Sequence, residues 1–284
     1  MATEAAPTPR NGEFTRRAAA GIPAFLALVA VVWWAPLWVP GLVVAGAGVY
    51  GTLEYLGMVQ GRMTLRQMAT PMSTSAILWA VGAMGLATVA FGPAGLHGVL
   101  VLAVLAVLLL VLFSKEADSA LEVSGLVLFG LVTVPWFLNH ITLLLMSTEG
   151  RAVTLFLFLA VTFTDTLAYL VGKLMGRTPL LPSVSPNKTV EGALGGMVGG
   201  VLAGLLSALF FSVDSGHGLT EWLVLGAIVS AAAQCGDLVE SRIKRLTGVK
   251  DAGSFLPGHG GLLDRMDSFL LAAPLLYYLH TLTL

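Results

Sequence analysis

Apolar runs long enough to cross a bilayer recur from one end of this 284-residue chain to the other, and that recurrence dictates what it can fold into. A helix needs about 20 apolar residues to span the hydrocarbon core, where each backbone amide must be satisfied within its own segment. Nine stretches qualify: 19–36, 40–59, 72–91, 96–114, 122–146, 153–175, 190–213, 219–243 and 262–282. The expected fold is therefore an all-α polytopic membrane protein with about nine transmembrane helices. The break at Pro36 to Pro40 decides the count, since one kinked helix there would merge the first two spans. Charged residues make up 11% of the chain, against about 25% in soluble domains. The formal net charge of −1 provides no global field to recruit nucleic acid, so an anionic substrate must be met by a local cluster.

Basic residues test the count independently, because short loops rich in Lys and Arg stay cytoplasmic. With nine spans and a cytoplasmic N-terminus, Arg10, Arg16, Arg17, Arg62, Arg66 and Lys115 all fall inside. Lys173, Arg177 and Lys188 flank the sixth-to-seventh connection, and Arg242, Lys244, Arg245, Lys250 and Arg265 the eighth-to-ninth. Arg151 alone falls outside. Merging the first two spans would reverse every later loop. Residues 1–18 read as a polar cytoplasmic tail. A signal peptide is the competing reading, but the first apolar run continues through Trp33 and Trp34 without a clear small-residue cleavage site.

Charge is distributed unevenly. The expected organisation is a transmembrane scaffold over 19–150 and a catalytic transmembrane domain over 151–284, with cytoplasmic loops at 176–190 and 244–262. No fixed-period repeat and no pair of matching halves is visible, unlike many transporters. The single cysteine, Cys235, has no second Cys or His at ligand spacing and reads as a buried structural thiol.

Near the end of the eighth span, Asp237, Glu240, Ser241 and Lys244 follow i, i+3, i+4, i+7 spacing, a polar stripe on an apolar helix. A carboxylate at membrane depth costs about 2.5–3.5 kcal/mol, so it needs an ion, water or a partner. The plain alternative is an internal Glu240–Lys244 salt bridge. Asp264 and Asp267 repeat the i, i+3 pattern at the start of the last helix. Mg²⁺ typically takes one or two carboxylates plus substrate phosphates, and Asp237 could complete such a site. Against this, acidic residues favour helix N-termini in any protein. Between the two helices, Phe255 to Gly261 resembles a phosphate cradle, with Gly260 and Gly261 allowing close backbone approach and His259 able to donate.

A second cluster carries Asp165, Tyr169 and Lys173 at i, i+4, i+8, then Arg177 and Lys188 around a Pro-rich loop containing Ser185, then Glu191. Its glycines permit close helix packing, which is the better account of Gly199 and Gly200. Carboxylates, basic side chains and glycine turns on one cytoplasmic face suit phosphoryl chemistry. No Ser-His-Asp order or activated cysteine supports an acyl intermediate.

From Ser241 to Asp267 the string S-x-I-K-R-x-x-x-x-K-D-x-G-x-x-L-P-G-H-G-G-L-L-D-R-M-D resembles the signature of the CDP-diacylglycerol synthases, or phosphatidate cytidylyltransferases. It includes Arg245, Lys250, Asp251 and Arg265. The earlier cluster is similar to the same family through Asp165, Ala168-Tyr169, Gly172-Lys173, Gly176-Arg177, Ser185-Pro186, Lys188-Thr189 and Glu191-Gly192. Asn187 stands where many members have Lys, and Leu167 where a small residue is common. The resemblance is strong over the last 120 residues or so and otherwise lies only in hydropathy. It implies transfer of CMP from CTP to phosphatidate, giving CDP-diacylglycerol and pyrophosphate in phospholipid biosynthesis. It also implies Mg²⁺ held by Asp237, Asp264 and Asp267, with Lys244 as the neutralising cation.

A second, monovalent cation and a homodimer are further open expectations, and the location expected is the cell (inner) membrane. Competing readings are another CTP-using membrane enzyme, such as a polyprenol kinase or CDP-archaeol synthase, and a cation-coupled transporter. The topology is directly testable. With nine spans and the N-terminus inside, a fluorescent protein fused after Leu284 stays dark and an alkaline phosphatase fused there is active; the opposite pair would reverse the orientation.

Overall fold

In a computed structural model, residues 27–60, 74–114, 117–211, 218–253 and 260–283 are described. Their architecture is a helical bundle. A helical stretch at 27–34, α1, is followed by α2 (Trp38–Gln60), α3 (Thr74–Phe91), α4 (Pro93–Phe113), α5 (Ala117–Leu131) and α6 (Phe137–Met146). The second half holds α7 (Gly150–Met175), α8 (Val190–Phe211), α9 (Leu219–Thr247) and α10 (Leu263–Thr283). The chain does break between α1 and α2, so the separation at Pro36 to Pro40 holds. The tail, His259 and the basic residues Arg10, Arg16, Arg17, Arg62, Arg66 and Lys115 lie outside the described residues.

Among the described residues, seven helical segments are long and apolar enough to cross a membrane. They coincide with seven of the nine expected spans. The first expected span is described only from residue 27. The last is α10, which has the expected length but falls outside the seven. Its sequence explains why: Asp264, Arg265, Asp267, Tyr277, Tyr278 and His280 dilute its hydropathy. Several of these polar groups turn inward. His280 is fully buried, and its Nε2 lies 2.9 Å from the Thr148 carbonyl. The chain is an all-α polytopic membrane protein in which this helix keeps its polar face within the bundle.

The span Ala120–Met146 is continuous but not regular. Its middle, Val132–Trp136, is a π-turn containing Pro135. Proline removes a donor and crowds the preceding turn, which favours such a widening. The Pro135 carbonyl accepts from Asn139 Nδ2 at 2.7 Å. Tyr55 of α2 crosses to α5 and donates to the Leu126 carbonyl at 2.9 Å, its ring seated over Gly130.

The second half packs through glycine. A Cβ on Gly195 would lie 2.6 Å from Val171 Cβ, and one on Gly192 would lie 2.9 Å from the Ala168 carbonyl, so α7 and α8 touch almost backbone to backbone. Gly199 abuts the Phe163 carbonyl in the same interface. Gly200 and Gly226 face each other's carbonyl oxygens between α8 and α9. Small residues at such crossings replace the hydrophobic effect, which is absent between helices in lipid, with close van der Waals contact. Ser230 adds a bond from α9 to the Gly196 carbonyl at 2.9 Å.

Between α7 and α8 stands a short antiparallel hairpin, β1 (Pro179–Leu181) and β2 (Ser185–Thr189), with Pro179 opposite Thr189 and Leu181 opposite Ser185. It occupies the segment expected as a Pro-rich loop. Cys235 corrects an expectation, since it is exposed, not buried. It shares the outward stripe of α9 with the exposed Val239, a face turned to lipid.

The glycine contacts give a stability prediction. Gly226→Ala forces a methyl group against the Gly200 carbonyl and should cost about 1–3 kcal/mol, seen as a lower melting temperature in detergent. Gly46→Ala, into open space on α2, should be neutral or stabilising by up to about 1 kcal/mol.

Candidate functional site

Thr189 ends the hairpin and caps α8. Its hydroxyl accepts from the Gly192 amide at 3.1 Å, the N-cap bond that satisfies an orphan donor of the first turn. Glu191, in that turn, accepts from the Arg177 amide at 3.1 Å and from the Thr178 amide and hydroxyl at 3.1 and 2.9 Å. Glu191 is thus a clamp on the chain leaving α7. The far side of the hairpin is tied to α9, where Arg245 Nε donates to the Val184 carbonyl at 3.4 Å.

That framing presents Lys188 toward α9, where its Nζ pairs with Asp237 Oδ2 at 2.5 Å. Ser241, one turn along, approaches Asp237 Oδ1 at 3.4 Å. A cavity of about 810 Å³ opens here between α7, α8, α9 and the hairpin. Its charged and polar lining includes Asp165, Tyr169, Lys173, Asn187, Lys188, Gln234 and Asp237, beside the apolar Leu180, Ala193 and Leu238. Lys173 lies over the Tyr169 ring, 5.5 Å from its centroid. The cavity joins charge to an apolar wall.

Behind it lies a tighter knot. Lys244 Nζ sits 2.5 Å from Glu240 Oε2 and 2.6 Å from Asp264 Oδ1. The internal Glu240–Lys244 bridge is therefore real, and Lys244 links it onward to α10. Lys244 donates a hydrogen bond to Asp264, while its contact with Glu240 is an ion pair. Asp264 also accepts from the Ala252 amide at 3.0 Å and the Gly261 amide at 2.7 Å, so it fastens the loop between α9 and α10. Gly260 has φ +83°, a left-handed conformation open to glycine, and a Cβ there would lie 2.9 Å from Asp264 Oδ2.

Asp267, one turn further on, is engaged differently. Its Oδ1 accepts from the Ser268 amide at 2.6 Å, and Asp237, Glu240 and Asp165 are the charges acting on it. Asp165, from α7, lines the cavity beside Asp237. Asp165, Asp237 and Asp267 thus form an acidic group in which Lys188 is the paired cation. Hard carboxylate oxygens in mutual repulsion fit a divalent cation such as Mg²⁺. Among the described residues, no group of three or more His, Cys, Asp or Glu side chains is placed to hold a metal ion.

The remaining expected residues sort by position. Asp165, Lys173 and Lys188 line the cavity, while Ser185 begins β2 and Ser241 faces Asp237. Arg177, Lys250, Asp251 and Arg265 are exposed around the loops, and Gly261 is buried beneath them. His259 lies outside the described residues. Sequence reasoning missed Gln234 and Glu54. Glu54, from α2, accepts from the Leu262 and Leu263 amides at 3.0 and 2.7 Å. An isolated acid in an apolar span is its only sequence signal.

The knot around Lys244 predicts its own energetics. Lys244→Met strands Glu240, which is fully buried, and should destabilise the protein by about 3–5 kcal/mol in detergent denaturation. Adding Glu240→Gln should recover part of that loss. Equal stability of Lys244→Met and wild type would contradict the pairing.

The chain matches the Cytidylyltransferase family over residues 15–283. Phosphatidate cytidylyltransferases of Staphylococcus saprophyticus and Staphylococcus aureus (strain COL) are 49% identical to it over 128 and 130 residues, 45% of this chain and 48% of theirs. The Staphylococcus epidermidis (strain ATCC 35984) protein of the same name is 47% identical over 128 residues, with the same shares covered. The chain spans about half the length of the curated relatives it matches. With a family match across nearly its whole length, joined to a buried carboxylate site, this chain belongs to the cytidylyltransferase family.

Proposed function

We propose that the protein is a phosphatidate cytidylyltransferase, transferring CMP from CTP to phosphatidate to form CDP-diacylglycerol and pyrophosphate. The observation that carries this reading is the cavity at Asp237 and Lys188, where charge meets an apolar wall inside a membrane bundle. An amphiphilic acceptor needs both. Its head group reaches the charged end while its chains stay beside Leu180, Ala193 and Leu238. The relatives' names supply the donor and acceptor, and the acidic group supports the chemistry.

Asp237 and Asp267 would hold Mg²⁺, with Asp165 behind them. Asp264, also expected as a ligand, is occupied here by Lys244 and loop amides, a geometry that favours a positioning role. Bound there, Mg²⁺ would neutralise the triphosphate and stabilise the departing pyrophosphate. Lys188 and Lys173 supply positive charge for phosphate oxygens at the cavity wall. Lys244, held between its two carboxylate partners, adds positive charge behind them.

No side-chain nucleophile is required. A phosphatidate oxygen, already anionic near neutral pH, attacks the α-phosphorus of CTP, and the bond to the β-phosphate oxygen breaks. The bundle holds the two reactants in line and excludes water that would otherwise hydrolyse the donor. By the same reading the active site opens to the cytoplasm, where CTP is available.

Purified protein in detergent, given CTP, phosphatidate and Mg²⁺, should form CDP-diacylglycerol. Asp267→Asn, which keeps shape and removes charge, should lower turnover by at least about 100-fold while the protein stays folded. Transfer of a single phosphate from γ-labelled CTP would indicate a kinase instead. Near-normal turnover of the variant would remove Asp267 from the metal site.

A further inference from the structure

Glu54 sits on α2, 208 residues before its nearest partner in sequence, in the half of the chain that carries few other charges. Only 8% exposed, it directs both carboxylate oxygens at α10: Oε1 accepts from the Leu262 amide at 3.0 Å and Oε2 from the Leu263 amide at 2.7 Å. Amides at a helix start have no carbonyl partner within the helix, and an anion there also meets the positive end of the helix dipole. A side chain usually caps its own helix. This one caps a helix from the other end of the chain.

The contact is shaped to exclude anything bulkier. A Cβ on Gly261 would fall 2.7 Å from both Glu54 oxygens, and one on Gly253 would fall 2.7 Å from its Cδ. Gly253 and Gly261 stand at the two ends of the connection from α9 to α10, and both rest on the same carboxylate. Asp264 ties the same two ends from the other side, through Ala252 and Gly261. On the α9 side, Gly236 abuts the Asp267 carbonyl. The first turn of α10 is therefore held between α9 and Glu54, and its setting fixes where Asp267 stands relative to Asp237.

We propose that Glu54 is a positioning residue for cytidylyl transfer. By fastening the α10 N-terminus to α2, it sets Asp267 against Asp237 while touching neither substrate nor metal. This rests on the reading of that acidic group as the catalytic site. It gives the N-terminal half a part in the chemistry, announced in its sequence only by an isolated acid in an apolar span.

Glu54→Gln tests the proposal, because it keeps volume but turns an amide NH₂ toward one of the two backbone donors. Hydrogen exchange of purified protein, without metal or nucleotide, should quicken by about 10-fold or more in peptides covering 260–266. In the CTP and phosphatidate assay, kcat should fall by about 10–100-fold and the half-saturating Mg²⁺ concentration should rise, with KM for phosphatidate within about twofold.

Gly130→Ala is the packing control, since its methyl group presses on Tyr55, the neighbour of Glu54, without touching the cap. It should lower the melting temperature without raising the Mg²⁺ requirement. Should Glu54→Gln not survive purification, Gly253→Ala, whose methyl group is driven into the same carboxylate, carries the same expectations. Unchanged exchange in the variant, or the same kinetic pattern in Gly130→Ala, would overturn the proposal. An inactive wild type with faster exchange in Glu54→Gln would instead count against the cytidylyltransfer reading and leave the cap standing.

Discussion

Uncompensated charge is the most expensive thing a membrane bundle can contain, and the arrangement of this protein follows from how it meets that cost. Five acidic side chains, Asp165, Asp237, Glu240, Asp264 and Asp267, converge where α7, α9 and α10 meet. Two lysines reach into them. Lys244 bridges Glu240 and Asp264 at 2.5 and 2.6 Å, and Lys188 pairs with Asp237 at 2.5 Å. Under the proposed cytidylyl transfer, carboxyl groups crowded in this way would suit a divalent metal, and an anionic substrate would bind best once that metal is present.

Such charges can converge only if the helices approach closely, and glycine makes that possible. Gly192, Gly195 and Gly199 seat α8 on α7, and Gly200 seats it on α9. A helix lined with leucine at those positions would stand several ångströms further away, beyond the reach of Lys188 to Asp237. The packing that stabilises the second half in lipid is therefore the same packing that assembles its chemistry.

Much of this is written in local sequence. Apolar runs mark the helices, and i, i+4 spacing correctly pairs Glu240 with Lys244 and Asp237 with Ser241. The hairpin at 179–189 is not legible, because its strands are three and five residues long and carry Pro179 and Pro186, which argue for loop. Spacing also cannot separate Asp264 from Asp267. Both lie on one face of α10, yet Asp264 is consumed by loop amides that only the folded connection brings near. Cys235 misled for a related reason: in lipid an apolar outward face has the same composition as an inward one.

The carboxylates finally divide by what they are given to hold. Glu191, Asp264 and Glu54 accept two or more backbone amides each, and each does so where a chain connection must be fixed. Asp237 and Asp267 hold fewer backbone donors and face the cavity or its acidic neighbours. Backbone amides cannot leave, so a carboxylate saturated by them is committed to structure. One paired with a lysine side chain can exchange that partner for a metal or a phosphate. By this criterion, and under the proposed function, the exchangeable pair is Asp237 with Lys188, with Asp267 on the neighbouring helix, while Asp264 is committed to fixing the connection from α9 to α10.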